Sequence, residues 1–426
     1  MSKTKTGAAM TELYLDPAAI EAMILQLGAI GAHSGTGVWR TVYSPEWVKA
    51  TDLLADWAGA AGLLVRRDAV GNLWARTPGG SKAKSVVSGS HIDSQCPGGR
   101  YDGALGVISA LVAITALVAK HGPPVRPLEM LCLCEEEGSR FPSAGFWGSR
   151  AITGRIRPGD ADTVLDANGA PISAAMRAVG LDPGVIATAQ RADIAAFIEL
   201  HIEQGPILEQ ANLPVAVVNA ITGIRHTQVT LTGQANHAGA FPMDLRRDPM
   251  AGFAEIASTL INHAHRLGRP AVTTIGRCIP YPNAGAIIPG SVTFTLDARH
   301  PDPTAYAQMH STHLAVMTEV ATRRGLGLSL EIQFDLPPTL SDPGLVSVLQ
   351  NAAADVPHLT MASGAGHDSQ QLAAMCPVAM IFVRSEGGRS HTPEEFSALP
   401  DILAGIRVLA GALHALAYAD HPALTS

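Results

Sequence analysis

Residues 85–122 read SVVSGSHIDSQCPGGRYDGALGVISALVAITALVAKHG. The stretch opens as a short apolar run, passes through a glycine-rich loop carrying His91, Asp93 and Asp102, and closes as a segment apolar on every side. A strand covered on both faces, followed by a helix buried with it, accounts for the two apolar parts. The loop between them is what needs a cause. Only 16% of this 426-residue chain is charged, and desolvating a histidine and two carboxylates is costly unless something compensates.

The arrangement recurs along the chain. PLEMLCLCEEEG (127–138), DIAAFIELHIEQG (193–205) and CPVAMIFV (376–383) are further apolar runs that end in histidines or carboxylates or lead into them, the last through RSHTPEE (389–395). Helical segments alternate with them. One is SPEWVKATDLLADWAGAAG (44–62), where Ser44-Pro45-Glu46 marks a helix start; another is LPDILAGIRVLAGALHALAYA (399–419). Continuous apolar strands alternating with helices predict an α/β fold with a mainly parallel sheet covered on both faces. Functional groups in such sheets gather beyond the carboxyl ends of the strands.

The pattern changes between about residues 219 and 337. RHTQVTLTGQ (225–234), GSVTFTLDARH (290–300) and LSLEIQF (328–334) read as strands, the first two alternating polar and apolar; DPMAGFAEIASTLINHAHRLG (248–268) and DPTAYAQMHSTHLAVMTEVATRRG (302–325) have helical period. That order predicts an inserted α+β open-faced sandwich of ferredoxin-like type. The expected organisation is one domain from residues 1–218 and 338–426, interrupted by a second at 219–337.

Composition narrows the partners. The formal net charge is −7 and no Lys/Arg block is present, which argues against nucleic acid. Five cysteines, at 96, 132, 134, 278 and 376, are an odd number and read as reduced, packed thiols, so a cytoplasmic location is expected. The opening MSKTKTGAAMTELYLD lacks the apolar core of a secretion signal, and Ala104–Ala119 reads as a core helix rather than a membrane span.

Imidazole and carboxylate without thiolate are the donors of a catalytic zinc or a related divalent ion. In His91-Ile92-Asp93 the period of two places both polar side chains on one face, so Asp93 can accept the imidazole N–H and fix its tautomer. Asp102 is either the cap of the helix that follows or a carboxylate shared by two ions. Three adjacent carboxylates at 135–137 repel one another unless cations intervene, with one glutamate as ligand and its neighbour free to take a proton from water. His263 and His265 face different directions on a helix. His310 and His313 can share a face but have no acid beside them, and are expected to be exposed. No G-x-S-x-G elbow occurs and Cys96 has no evident base, which disfavours nucleophilic catalysis.

Taken together, SGSHIDSQCPGGRYDGALGV, EEEGSRFPSAGFWGSRAITG, ELHIEQGPILE, GQANHAGAFPMDLRRDP, FTLDARH, SGAGHDSQ and SHTPEE closely resemble the hydantoinase/carbamoylase amidases of the M20 metallopeptidase superfamily. YSPEW and the SRFP…FWGS segment look more like the allantoate amidohydrolase branch than the N-carbamoyl-L-amino acid hydrolases. The resemblance implies two divalent cations (zinc, or manganese, cobalt or nickel), one at His91, Asp102 and His201 and the other at Asp102, Glu137 and His391. It makes Glu136 the general base and leaves Glu135 a structural residue. It assigns His237 to polarising the scissile carbonyl in a partner subunit, Arg299 to the substrate carboxylate, and Gln204, His367 and Asn283 to further substrate contacts. The family also commonly carries an asparagine where this chain has Ala286, so one polar contact to the substrate is missing. The reaction implied is hydrolysis of a linear C–N amide or ureido bond in a small anionic substrate such as allantoate or an N-carbamoyl-L-amino acid, by a homodimer joined through the inserted domain. An aminoacylase or dipeptidase of the same superfamily is the rival enzyme, and a non-catalytic metal-dependent binding protein the rival from another class.

Overall fold

A computed structural model describes residues 13–79, 82–419 and 421–424. Most of the amino-terminal stretch considered above as a leader, residues 1–12, lies outside them. The chain divides into two compact units: residues 1–219, 341–361 and 367–426 form the first, and 220–340 with 362–366 the second.

Four strands run parallel at the centre of the first unit's sheet, in the spatial order Val378–Val383, Ile194–Ile202, Ser85–His91, Leu128–Leu133. All four are buried along their whole length, which is why their sequences carry no polar face. The sheet is not parallel to its edges. Val215–Ile221 pairs antiparallel with Val378–Val383 on one side, and Leu73–Arg76 followed by Leu64–Arg67 continue antiparallel on the other. The expected mainly parallel sheet is therefore a mixed one. Short connections contribute to the difference, since the five residues 68–72 between Leu64–Arg67 and Leu73–Arg76 allow only an antiparallel return.

The helix after the quoted loop runs from Ala104 to His121 and buries eleven residues, among them Leu105, Ile108, Leu111, Ile114 and Leu117. This helix and Leu399–Ala417 are each long and apolar enough to cross a membrane, yet both are mostly buried within this unit's core. Helix Pro45–Ala60 starts as its sequence predicts, with Ser44 Oγ accepting the Trp47 N–H at 3.1 Å. All five cysteines are free thiols.

The second unit is antiparallel throughout. Strand Gly223–Thr232 lies between Ser291–His300 and Gly327–Leu336, and Val272–Thr274 and Cys278–Tyr281 pair with the outer side of Ser291–His300. Burial alternates residue by residue along Ser291–His300, as in a sheet with one covered face. Helices Pro249–Leu267 and Pro303–Arg323 supply the cover, with Ile256, Leu260, Met317 and Val320 packed on Val229, Leu231, Val292 and Phe294. His313 departs from expectation: it is 1% exposed, its ring edge-on to those of His263 and His310.

Candidate metal centre and active site

Because the four central strands run parallel, their carboxyl ends share one edge of the sheet. His91 closes the first, His201 is next to last in another, Glu136 and Glu137 follow Leu128–Leu133, and His391 lies in the loop after Val378–Val383. Asp102 sits immediately before the Gly103 cap of helix Ala104–His121, and its side chain makes no capping bond. It turns instead toward the histidines. Gly103 adopts φ 62° there, and a β-carbon on it would meet the His91 ring at 2.4 Å. Only glycine lets the helix begin this close to the imidazole.

Asp102 divides its two oxygens. Oδ1 lies 3.5 Å from His91 Nε2 and 3.2 Å from His201 Nε2, while Oδ2 lies 3.6 Å from His391 Nε2. Glu137 Oε2 is 3.5 Å from the same His391 nitrogen, and Glu136 Oε2 is 3.6 Å from His91 Nε2. Two groups could therefore each hold a metal ion: His91, Asp102 and His201, and Asp102, Glu137 and His391. Within each, the candidate ligand atoms lie within 4.8 Å of one another.

The histidine tautomers suit ligation. His91 Nδ1 lies 3.0 Å from the Asp93 carbonyl oxygen and His201 Nδ1 2.9 Å from that of Ile202, so each Nδ1–H donates to the main chain and each Nε2 keeps its lone pair for the cluster. The Gly103 N–H donates to His201 Nε2 at 3.2 Å, which marks that nitrogen as an acceptor. The Asp93 carboxylate has a different part from the one expected. Its Oδ1 is 3.8 Å from His91 Nδ1, and its Oδ2 accepts the Glu137 N–H at 3.1 Å. The strand ends at His91, so its alternation no longer governs residue 93 and the backbone oxygen takes the closer position.

Burial pushes the Glu136 and Glu137 carboxyls up, Glu136 well above the usual range, and neighbouring carboxylates push the same way. Burial alone would lower His91, but Glu136, Asp102 and Asp93 together hold it well above an ordinary imidazole. For Asp102 burial again acts first and upward, and is overcome by His201 and His91, which hold it well below the usual carboxylate range. These are the shifts that burial and mutual repulsion produce among carboxylates with histidines as their nearest counter-charge. A divalent cation would satisfy the same groups. Glu135, Gln204 and His391 all have φ between 51° and 57°, so three non-glycine residues at this edge are held in the left-handed region. Such conformations cluster at functional sites.

The chain's residues 87–415 match the model of peptidase family M20/M25/M40. The chain belongs to that family. Among M20 relatives it is 39% identical to an allantoate amidohydrolase of Escherichia coli (strain K12), covering 94% of this chain and 98% of that one. It is 37% identical to an N-carbamoyl-L-amino-acid amidohydrolase of Paenarthrobacter aurescens, over 93% of this chain and 97% of that one. A solved amidase of the hydantoinase/carbamoylase family from Burkholderia multivorans superposes with a TM-score of 0.84 at 34% identity, covering 94% and 98% of the two chains. This M20 protein is accordingly an amidohydrolase of the hydantoinase/carbamoylase group.

Its remaining candidate residues fall in two places. His367 is in the first unit, buried, its ring 4.6 Å from that of His201 and its pKa held well below normal by burial and then by His201. Gln204 is there too, but its Nε2 donates to Asp102 Oδ2 at 2.7 Å, so its amide steadies the shared carboxylate. His237, Asn283 and Arg299 belong to the second unit. His237 is exposed, and its Nδ1 accepts from Gly239 and Ala240 N–H at 3.0 and 3.1 Å, which leaves Nε2–H as an outward donor. Asn283 is exposed with φ 59°, and the Ala286 carbonyl accepts the Ala238 N–H at 3.0 Å, tying that segment to the His237 loop. Arg299 forks onto Asp297 at 3.0 and 2.8 Å and reaches the Gly364 carbonyl at 3.1 Å, so three of its five N–H groups are engaged.

Sequence reasoning missed the partners around these residues. Gln95 Nε2 donates to Glu137 Oε2 at 2.8 Å. Glu199, fully buried, accepts from Ser90 Oγ and Ser369 Oγ at 2.7 Å each behind the histidines. Glu395 reaches the Asp102 backbone N–H at 2.9 Å. All three lie inside motifs that were read, but as neighbours of a stronger ligand type they carried no separate mark. Glu135 Oε1 accepts the Phe141 N–H at 2.7 Å, a bond to the loop that follows.

Proposed function

We propose that this chain hydrolyses the linear C–N bond of a small anionic ureido or amide substrate, of the allantoate or N-carbamoyl-L-amino acid class, in the cytoplasm. The observation that carries the reading is the division of Asp102 between two histidine groups, with Glu136 beside one of them. His91 and His201 would hold one divalent cation and Glu137 and His391 a second, with Asp102 shared; zinc, manganese, cobalt and nickel all suit this donor set. Such ions, when bound, polarise the scissile carbonyl and acidify water.

Glu136 takes the proton of the attacking water and returns it to the departing nitrogen. Burial holds its pKa above the usual carboxylate range, which makes it a stronger base than an exposed glutamate. His237, as an Nε2–H donor, is suited to the developing oxyanion, and the two remaining N–H groups of Arg299 to a substrate carboxylate. Ala286 removes one side-chain amide from the second unit's contribution and favours a substrate that needs fewer polar contacts there. That unit acts as a lid and as the dimer contact. In support, Gly327–Leu336 is an edge strand with Leu330, Ile332 and Phe334 exposed, which invites pairing with a second copy.

The test is release of ammonia from allantoate and N-carbamoyl amino acids, and of the free amino acid from N-acyl amino acids, by manganese- or zinc-loaded protein. Turnover of the first or second class is expected; turnover of N-acyl amino acids alone would replace this reading with an aminoacylase. Glu136→Gln should keep its cations and lose about a thousandfold in kcat.

A further inference from the structure

The shared carboxylate is itself held in place from behind. Glu395 is 2% exposed, and its Oε1 accepts the backbone N–H groups of Tyr101 and Asp102, each at 2.9 Å. Its Oε2 lies 3.1 Å from Ser390 Oγ, and that hydroxyl lies 2.7 Å from Asp102 Oδ2. One side chain therefore fixes the main chain at Asp102 and, through Ser390, touches its carboxylate. The single Ser390 proton can serve only one of these two acidic groups at a time. A cation on Asp102 Oδ2 would leave it for Glu395.

The glycine-rich loop is shaped around this contact. A β-carbon on Gly99 would fall 2.1 Å from Glu395 Oε1 and 2.5 Å from Glu395 Cβ. Gly99 is not among the residues with positive φ, so clearance for Glu395, rather than backbone conformation, is what requires glycine there. CPGGRYD and SHTPEE are almost three hundred positions apart and fit together at this point.

We propose that Glu395 is a positioning residue for Asp102, and that Gly99 is the clearance that admits it. The proposal rests on the reading of Asp102 as a shared cation ligand. Two adjacent N–H groups anchored on one carboxylate fix the direction from which Asp102 presents its oxygens, so less order has to be imposed when a cation arrives. Glu395 meets no reacting atom. Its influence lies in cation affinity and not in proton transfer.

The experiment is calorimetric titration of manganese into metal-stripped protein, with the thermal midpoint of the stripped protein as a check on folding. Glu395→Ala should weaken binding by about 10- to 100-fold. Gly99→Ala should do the same by displacing the carboxylate, and the double variant should lose little more than either alone. Glu395→Gln keeps an acceptor for the two N–H groups and should restore most of the loss. The exposed neighbour Glu394→Gln should change nothing. Should Glu395→Ala not fold, Gly99→Ala measured against Glu395→Gln gives the same answer. Wild-type protein that takes up no cation overturns the metal reading and the clamp with it. Wild-type uptake with unchanged affinity in Glu395→Ala and Gly99→Ala overturns the clamp alone.

Discussion

The two units hold polar groups in opposite ways. At the carboxyl edge of the first, His91, His201 and Asp102 are 1%, 1% and 8% exposed, carried on strands covered on both faces. In the second, His237 and Asn283 are exposed and Arg299 is half-buried, on or beside a sheet covered on one face only. Deep burial makes charge expensive and so fixes it against a counter-charge. A one-sided sheet leaves its donors in water, available to something that arrives and departs. On the proposed function, the contrast separates a place suited to retaining cations from a surface suited to meeting a substrate.

Removing the shared carboxylate should break the contrast most. Asp102→Asn is expected to lose more than about a thousandfold in turnover and to abolish stoichiometric cation uptake, read by kinetics and by elemental analysis of the purified protein. Retention of two cations per chain would remove Asp102 from the site. A core truncation comes next: Leu117→Ala should cost about 2–5 kcal/mol in urea unfolding, because Leu117 is fully buried and its packed surroundings relax only partly around the cavity.

Acid should single out the second unit. Burial, then Arg225, holds His310 down at about 4, and burial, then His310 and His263, does the same for His313; only Asp335 beside His310 pulls upward. An unfolded chain would bind these protons near pH 6.5. The contribution is therefore fully present above about pH 6.5 and lost as pH falls toward 4. Paired His310→Gln and His313→Gln substitutions should flatten the pH dependence of unfolding over that interval, and an unchanged slope would refute the assignment. The smallest effect is expected at Ile332, 57% exposed on the edge strand. Ile332→Ala should alter the stability of the chain by no more than about 0.5 kcal/mol, while light scattering shows a weakened dimer.

Much of this was legible because the physics is local. Runs such as VAMIFV and FIELHI announce strands covered on both faces, and the histidines and acids at their ends stand out in a chain so poor in charge. That ground marked the motifs; the family resemblance picked His91, Asp102, Glu137, His201 and His391 out of them, and these five do meet around Asp102. Asp93 shows the limit. Period two holds only while the strand lasts, and the strand stops two residues too early. His313 shows another: helical spacing gives a face but not what covers it, and here a second helix buries the ring.

What the sequence determined by itself was the donor chemistry, the strands that deliver it and the two-part organisation, because composition and periodicity are properties of neighbouring residues. Only the tertiary structure decided the antiparallel flanks of the sheet, the partition of the Asp102 oxygens, the engagement of Gln204 and Arg299 with nearby carboxylates, and the hold of Glu395 on the loop at Gly99. Each of these depends on distances between residues far apart in the chain, and no local preference encodes a distance of that kind.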